Sequence, residues 1–266
     1  MLTQFHKMHG LGNDFVVIDA RGGPVELTPS IVRALCDRRE GIGCDQLIRI
    51  APSDMAAVRM DIWNADGEPA SACGNATRCV MALTAAPSVE TVGGLLKGGG
   101  DYDKVRVELP PPVFDYDRIP IADPMDTAPT PLGWDSLTAP DAVNVGNPHL
   151  VFFVDDVDAV PLAELGPTIE TDPIFPDRIN VNVAEVTENG VKLRTWERGA
   201  GLTRACGTGA CATAVAAIRR RLAVSPVEVE MAGGTLTISW APGDPIIMEG
   251  PATHVFSGEI NLESLA

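Results

Sequence analysis

Positive charge is scarce in this sequence. Lys and Arg number 20 against 36 Asp and Glu, a formal net charge of −16 over 266 residues. Nucleic acid and anionic membrane are excluded as main partners, because both are held by clustered positive charge. A small anionic substrate stays admissible, since a pocket of backbone N–H groups can hold one. Long apolar runs are missing too. Those present, such as Leu150–Val154, are far shorter than the about 20 residues that cross a bilayer. Met1–Gly10 lacks the apolar stretch of a secretory signal, so a cytoplasmic location is expected. No two cysteines have Cys-x-x-Cys spacing, and His6, His9, His149 and His254 do not cluster, so no metal site is expected. In a cytosolic chain of this size, six cysteines do not suggest a disulfide framework. Gly207-Thr208-Gly209 is only a fragment of a phosphate loop, without its Lys or a full glycine fingerprint.

What is present is ordinary globular composition, 45% apolar and 21% charged, on a chain long enough for one large domain or two medium ones. The chain also repeats itself. Val58-Arg59-Met60, Trp63 and Ala72-Cys73-Gly74 recur as Val191-Lys192-Leu193, Trp196 and Ala205-Cys206-Gly207, each half the chain further on. With one inserted residue, Gly12-Asn13 matches Gly146-Asn147 and Gln46 falls opposite Asn180. Self-similarity of this kind points to a duplicated domain. Pro110–Pro140, rich in Pro and Asp, reads as a linker plus edge elements between the halves.

Val58–Trp63 and Val191–Trp196 alternate apolar and polar residues and predict strands. Each leads through a polar loop to a Cys-Gly pair, followed by an Ala-rich, helix-favouring stretch, Ala76–Ala86 or Gly209–Arg221. Cys73 and Cys206 therefore stand at helix starts. Unsatisfied N–H groups and the positive end of the helix dipole are expected to lower a thiol pKa there and to attract a carboxylate. Simple packing of both cysteines is the alternative. Cys36, Cys44, Cys79 and Cys211 read as small buried hydrophobes.

Together these segments resemble the diaminopimelate epimerase family. The match runs through Lys7–Phe15, Gly41–Gln46, Asn64–Gly67, Ala72–Asn75, Gly146–His149, Asn180-Val181, Glu197–Gly199, Ala205–Ala210 and Gly250–Ala252, in the family's order and across nearly the whole chain. Departures are Ala76 where the family usually has Gly, Cys44 and Gln46 where many members differ, and the unusual stretch Gly93–Tyr102. The resemblance implies an α/β (α+β) fold of two pseudo-symmetric domains. Each would be a mainly antiparallel sheet wrapped around a central helix, with the site in the cleft between them. The expected division is residues 1–118, rejoined by about 257–266, and residues 119–256. A homodimer is also implied, with Phe256 in the contact region.

The activity implied is cofactor-independent interconversion of LL- and meso-diaminopimelate, in lysine and peptidoglycan precursor synthesis. Two acid/base groups can move a proton between the faces of one carbon without turning the substrate. Cys73 and Cys206 would be that pair, one as thiolate and one as thiol, supported by His149 and Glu197. Asn13, Gln46, Asn64, Asn147 and Asn180 would supply amides that donate to carboxylate and accept from ammonium. Gly74, Asn75, Gly207 and Thr208 would offer helix-start N–H groups, and Arg198 a bidentate carboxylate partner. Taken singly, each Asn is also a common turn residue, Glu197-Arg198 could be a surface ion pair, and His149 a satisfied strand-start residue. Proline or hydroxyproline racemases, thiol redox or peroxide-reducing proteins, and a non-catalytic amino-acid binding protein are the competing functions.

Overall fold

The computed structural model describes residues 2–70 and 73–265. Ala72, part of the first Cys-Gly motif, lies outside the described residues. The chain forms two compact units, Met1–Val107 with Glu249–Ala266, and Glu108–Met248.

In the first unit, strand Leu2–Gly10 pairs antiparallel with Asn13–Asp19, which runs parallel to Gln46–Ala51. The crossover carries helix α1, Pro29–Cys36. Its start is written locally: Thr28 Oγ1 accepts from Ile31 N–H at 3.3 Å, and Pro29 needs no hydrogen-bond partner for a missing N–H. Its buried face is Ile31, Val32, Leu35 and Cys36. Gln46–Ala51 pairs antiparallel with Val58–Asn64, and a second crossover, helix α2 (Gly74–Thr84), leads to parallel Ser88–Thr91. Strand Thr253–Asn261 returns along Leu2–Gly10, with Thr253 opposite His9. This pairing is why the chain rejoins the first unit before residue 257.

The second unit repeats the order. Asp141–Asn144 pairs antiparallel with Pro148–Phe153, which is parallel to Asn180–Thr187 across helix α3, Leu162–Glu170. Asn180–Thr187 pairs antiparallel with Gly190–Glu197, and helix α4 (Gly207–Arg219) crosses to parallel Val227–Met231. α4 is buried along most of its length, Ala210 to Ala217, because strands of this unit pack around it. Its Ala-rich sequence suits that position: small side chains let backbone and sheet approach closely. The mixed α/β fold, sheet-dominated with a central helix in each unit, is the expected class.

Pro110–Pro140 is not a linker. Ile119, Ile121 and Leu137 are buried in the second unit's core with Leu150, Phe152 and Val181. Val113 bridges Asn144, and Gly133–Trp134 pairs with Leu137–Thr138. Pro and Asp obscure this in the sequence, because the apolar anchors are isolated rather than periodic. No helix among the described residues is long and apolar enough to cross a membrane. None of the described residues forms a group of three or more His, Cys, Asp or Glu able to hold a metal.

Candidate active site

Both cysteines cap a helix. Cys73 (φ −150°, ψ 112°) immediately precedes α2, and Cys206 (φ −124°, ψ 110°) immediately precedes α4. Each turn that carries the matching asparagine relies on a glycine in the left-handed region, Gly12 (φ 84°) before Asn13 and Gly146 (φ 109°) before Asn147.

In the first unit the Cys73 thiol donates to Asn13 Oδ1 at 3.7 Å. Asn13 Oδ1 also accepts from Asn75 Nδ2 at 3.2 Å, and Asn13 Nδ2 donates to Asp45 at 3.0 Å. Asn75 is held in turn by Arg78, a fully buried guanidinium that donates to Asn75 Oδ1 at 2.8 Å and to Pro251 O at 3.1 Å. Gly10 leaves room for this: a Cβ there would stand 3.0 Å from Asn75 Cβ and 3.1 Å from Arg78 Nη2. Gln46 Nε2 donates to Asn64 Oδ1 at 2.9 Å across paired strands, while Gln46 Oε1 is buried without a partner among the described residues. Asp14, gripped by Lys7 and Arg38, is held well below the usual carboxylate range despite its burial.

In the second unit a single chain of hydrogen bonds leads to Cys206. Thr195 Oγ1 donates to Asn182 Oδ1 at 3.0 Å, and Asn182 Nδ2 donates to His149 Nδ1 at 3.1 Å and to Leu150 O at 2.8 Å. Because an amide NH₂ faces Nδ1, the His149 proton sits on Nε2, which donates to Asn147 Oδ1 at 2.9 Å. Asn147 Nδ2 reaches Thr208 Oγ1 at 3.3 Å, and Thr208 Oγ1 lies 3.5 Å from Cys206 Sγ. His149 is completely buried, and burial, aided by the Arg198 charge, lowers its pKa to about 3. It is thus a neutral ring that orients Asn147.

Cys206 differs from the expectation for a helix start. Gly209 N–H donates to its sulfur at 3.3 Å and the Thr208 hydroxyl is close, and both favour thiolate. Burial and the adjacent Glu197 carboxylate outweigh them and push the thiol pKa well up. Glu197 is itself fixed by Thr203 Oγ1 at 2.6 Å.

A family model described as diaminopimelate epimerase matches residues 5–107 and 141–255. A protein from Rhizorhabdus wittichii named diaminopimelate epimerase is 61% identical over 267 residues, covering 99% of this chain and 97% of its own. The chain belongs to the diaminopimelate epimerase family. Other proteins named diaminopimelate epimerase, from Sphingopyxis alaskensis (61% identity, 97% of each chain) and Zymomonas mobilis (52%, 100% of each), agree. Solved structures share the fold at low identity. A Bacillus anthracis phenazine biosynthesis protein of the PhzF type has a TM-score of 0.69 at 16% identity, covering 98% of this chain and 99% of its own. A hydroxyproline epimerase from Agrobacterium vitis has 0.67 at 16%, covering 97% and 91%.

In this member of the diaminopimelate epimerase family, each unit gathers its expected residues into one local constellation. Asn13, Cys73, Gly74 and Asn75 meet at the start of α2, with Gln46 and Asn64 paired on adjacent strands. Asn147, His149, Glu197, Cys206, Gly207 and Thr208 meet around the start of α4. Asn180 is engaged by backbone at both ends of its amide: Nδ2 donates to Pro148 O at 2.8 Å, and Oδ1 accepts from Arg198 N–H at 2.9 Å. Arg198 donates to Asp177 O at 2.8 Å. Asn182, Thr195 and Arg78 escaped the sequence reading. In sequence, Asn182 is simply one more residue of an apolar strand; its burial and its hydrogen bond to His149 exist only once the strands pair.

Proposed function

We infer that the chain is a diaminopimelate epimerase, an isomerase that interconverts LL- and meso-2,6-diaminopimelate without a cofactor. The observation that carries the geometric side is the equivalence of Cys73 and Cys206: each caps the central helix of a unit with the same strand and helix order. Inversion of a stereocentre without turning the substrate uses a base on one face and an acid on the other, and a duplicated unit supplies two such groups.

In the proposed turnover one sulfur, as thiolate, takes the α-proton: its S–H bond forms as the C–H bond breaks. The other, as thiol, delivers its proton to the opposite face of the same carbon. The reverse reaction exchanges the roles. The raised thiol pKa of Cys206 suits a proton donor, and Glu197 beside it is placed to share that proton. N–H groups at the starts of α2 and α4 are donors for the α-carboxylate as it gains charge. Asn13, Gln46, Asn64 and Asn147 serve the charged ends of the substrate. Gln46 Oε1, without a partner among the described residues, is an acceptor for an ammonium. Asn180, through its second carbonyl lone pair, and Arg198 complete the set, and His149 acts through Asn147.

We further propose that the two units descend from one duplicated domain, and that the protein works as a cytoplasmic homodimer. Val255 and Phe256, exposed on the strand that returns to the first unit, are compatible with a dimer contact.

The deciding experiment is incubation with LL-diaminopimelate in deuterated water, without added metal or cofactor. Deuterium at the product α-carbon, lost in Cys73→Ala and in Cys206→Ala, is expected. Turnover of proline or hydroxyproline alone would overturn the substrate assignment, and full activity in either variant would overturn the two-thiol mechanism.

A further inference from the structure

Cys36 and Cys44 take no part in the chemistry above, yet the fold brings their sulfurs to 3.4 Å. Cys36 ends α1, and the loop that follows folds back along that helix end. Ile42 and Gly43 N–H both donate to Leu35 O at 3.0 Å, and Cys44 N–H donates to Cys36 O at 3.2 Å. The loop has little freedom to open. A Cβ at Gly41 would stand 2.0 Å from Ala34 O, and Gly43 holds φ +77° with a Cβ position 2.9 Å from Arg38 Cα. Lys7 pins the same loop by donating to Gly43 O and Asp14. A disulfide needs sulfurs about 2.05 Å apart. Side-chain rotation on a backbone already in register can close the remaining gap.

We propose that Cys36 and Cys44 form a modification site, a dithiol that a hydroperoxide converts to an intramolecular disulfide. The Cys36 thiolate attacks a peroxide oxygen, the O–O bond breaks, and a sulfenic acid and hydroxide form. The Cys44 sulfur then attacks the sulfenic sulfur. The S–S bond forms as the S–O bond breaks, and the Cys44 proton leaves with the departing hydroxide as water. In sum two thiols and one hydrogen peroxide become one disulfide and two waters, with two electrons passing from sulfur to oxygen. The order follows the local electrostatics. The Cys44 thiol donates to Cys36, and the Lys7 and Arg38 charges add to that bond, so the Cys36 pKa is lowered although burial and Asp14 oppose it. Cys44 is the thiol kept protonated.

The site does not depend on the epimerase reading.

The test uses the whole protein, treated with graded hydrogen peroxide, quenched with catalase, alkylated with iodoacetamide in denaturant and digested with trypsin without reductant. Cleavage at Arg33, Arg38, Arg39 and Arg49 places the two cysteines in separate peptides, 34–38 and 40–49. A linked pair lighter by two hydrogens than the two thiol peptides is expected. Dithiothreitol should reverse it, and Cys36→Ala and Cys44→Ala should each abolish it. It should persist in Cys73→Ser/Cys206→Ser, which separates this site from the proposed catalytic thiols. Complete alkylation of both peptides at peroxide levels that oxidise Cys73 or Cys206 would overturn the proposal. So would sulfinic acid at Cys36 without any linked peptide.

Discussion

Asp141 offers a sharp test of the buried electrostatics in the second unit. Its carboxylate is 1% exposed, and neither oxygen has a hydrogen-bond partner among the described residues. The nearest cation, Arg220 Nη1, is 3.9 Å away and one-third exposed. Burial raises the pKa from 3.8 to about 6, after the attraction of Arg220 and Arg219 is counted. A raised carboxyl pKa means that the folded chain holds a proton the unfolded chain has lost. Its stabilising contribution is therefore greatest below pH 4 and vanishes above pH 6. Between pH 8 and pH 5 this is worth on the order of 1 kcal/mol. Asp141→Asn should remove the dependence, so the variant's stability relative to wild type should be more favourable at pH 8 than at pH 5 by that amount. The difference between the two proteins must be used, because neutral His149, with its pKa lowered to about 3, pulls wild-type stability the opposite way over the same window. Asp14 does not interfere, since its lowered pKa matters only below pH 4. Urea unfolding followed by tryptophan fluorescence suits the second unit, which contains Trp134, Trp196 and Trp240. The change corresponds to roughly 2–4 °C in melting temperature. A variant-to-wild-type difference that is the same at both pH values would refute the reasoning.

Asn182→Asp turns a donor toward His149 Nδ1 into an acceptor, draws the ring proton to Nδ1 and leaves Asn147 Oδ1 unserved. A kcat/KM at least about tenfold lower is expected, with Asn182→Ala less severe if the tautomer is what matters. Glu197→Gln removes the charge that helps hold Cys206 as thiol. The pH at which Cys206 becomes open to alkylation should move down, as measured by mass spectrometry of the Cys206 peptide. Gly209→Ala would place a Cβ 2.7 Å from Asn182 Oδ1 and 3.0 Å from Thr195 Oγ1. A loss of about 1–3 kcal/mol in urea unfolding is expected, accompanied by lower activity, because the start of α4 must shift.

Much of this protein is legible in its sequence. Alternation in Val58–Trp63 and Val191–Trp196, the Cys-Gly pairs and the Ala-rich runs locate two strand–loop–helix units, because period, capping position and helix propensity are local properties of the chain. The same repeat and its motifs indicate the family. Tertiary structure decided the rest. Whether Pro110–Pro140 is linker or core depends on where single apolar residues such as Ile119 land, which no local pattern specifies. The thiol of Cys206 has its pKa raised rather than lowered because enclosure and a neighbouring carboxylate outweigh the helix-start N–H groups, and burial is a sum over distant segments. The neutral tautomer of His149 and the meeting of Cys36 with Cys44 are likewise products of strand pairing and loop closure, which bring together atoms whose sequence positions carry no mark of the contact.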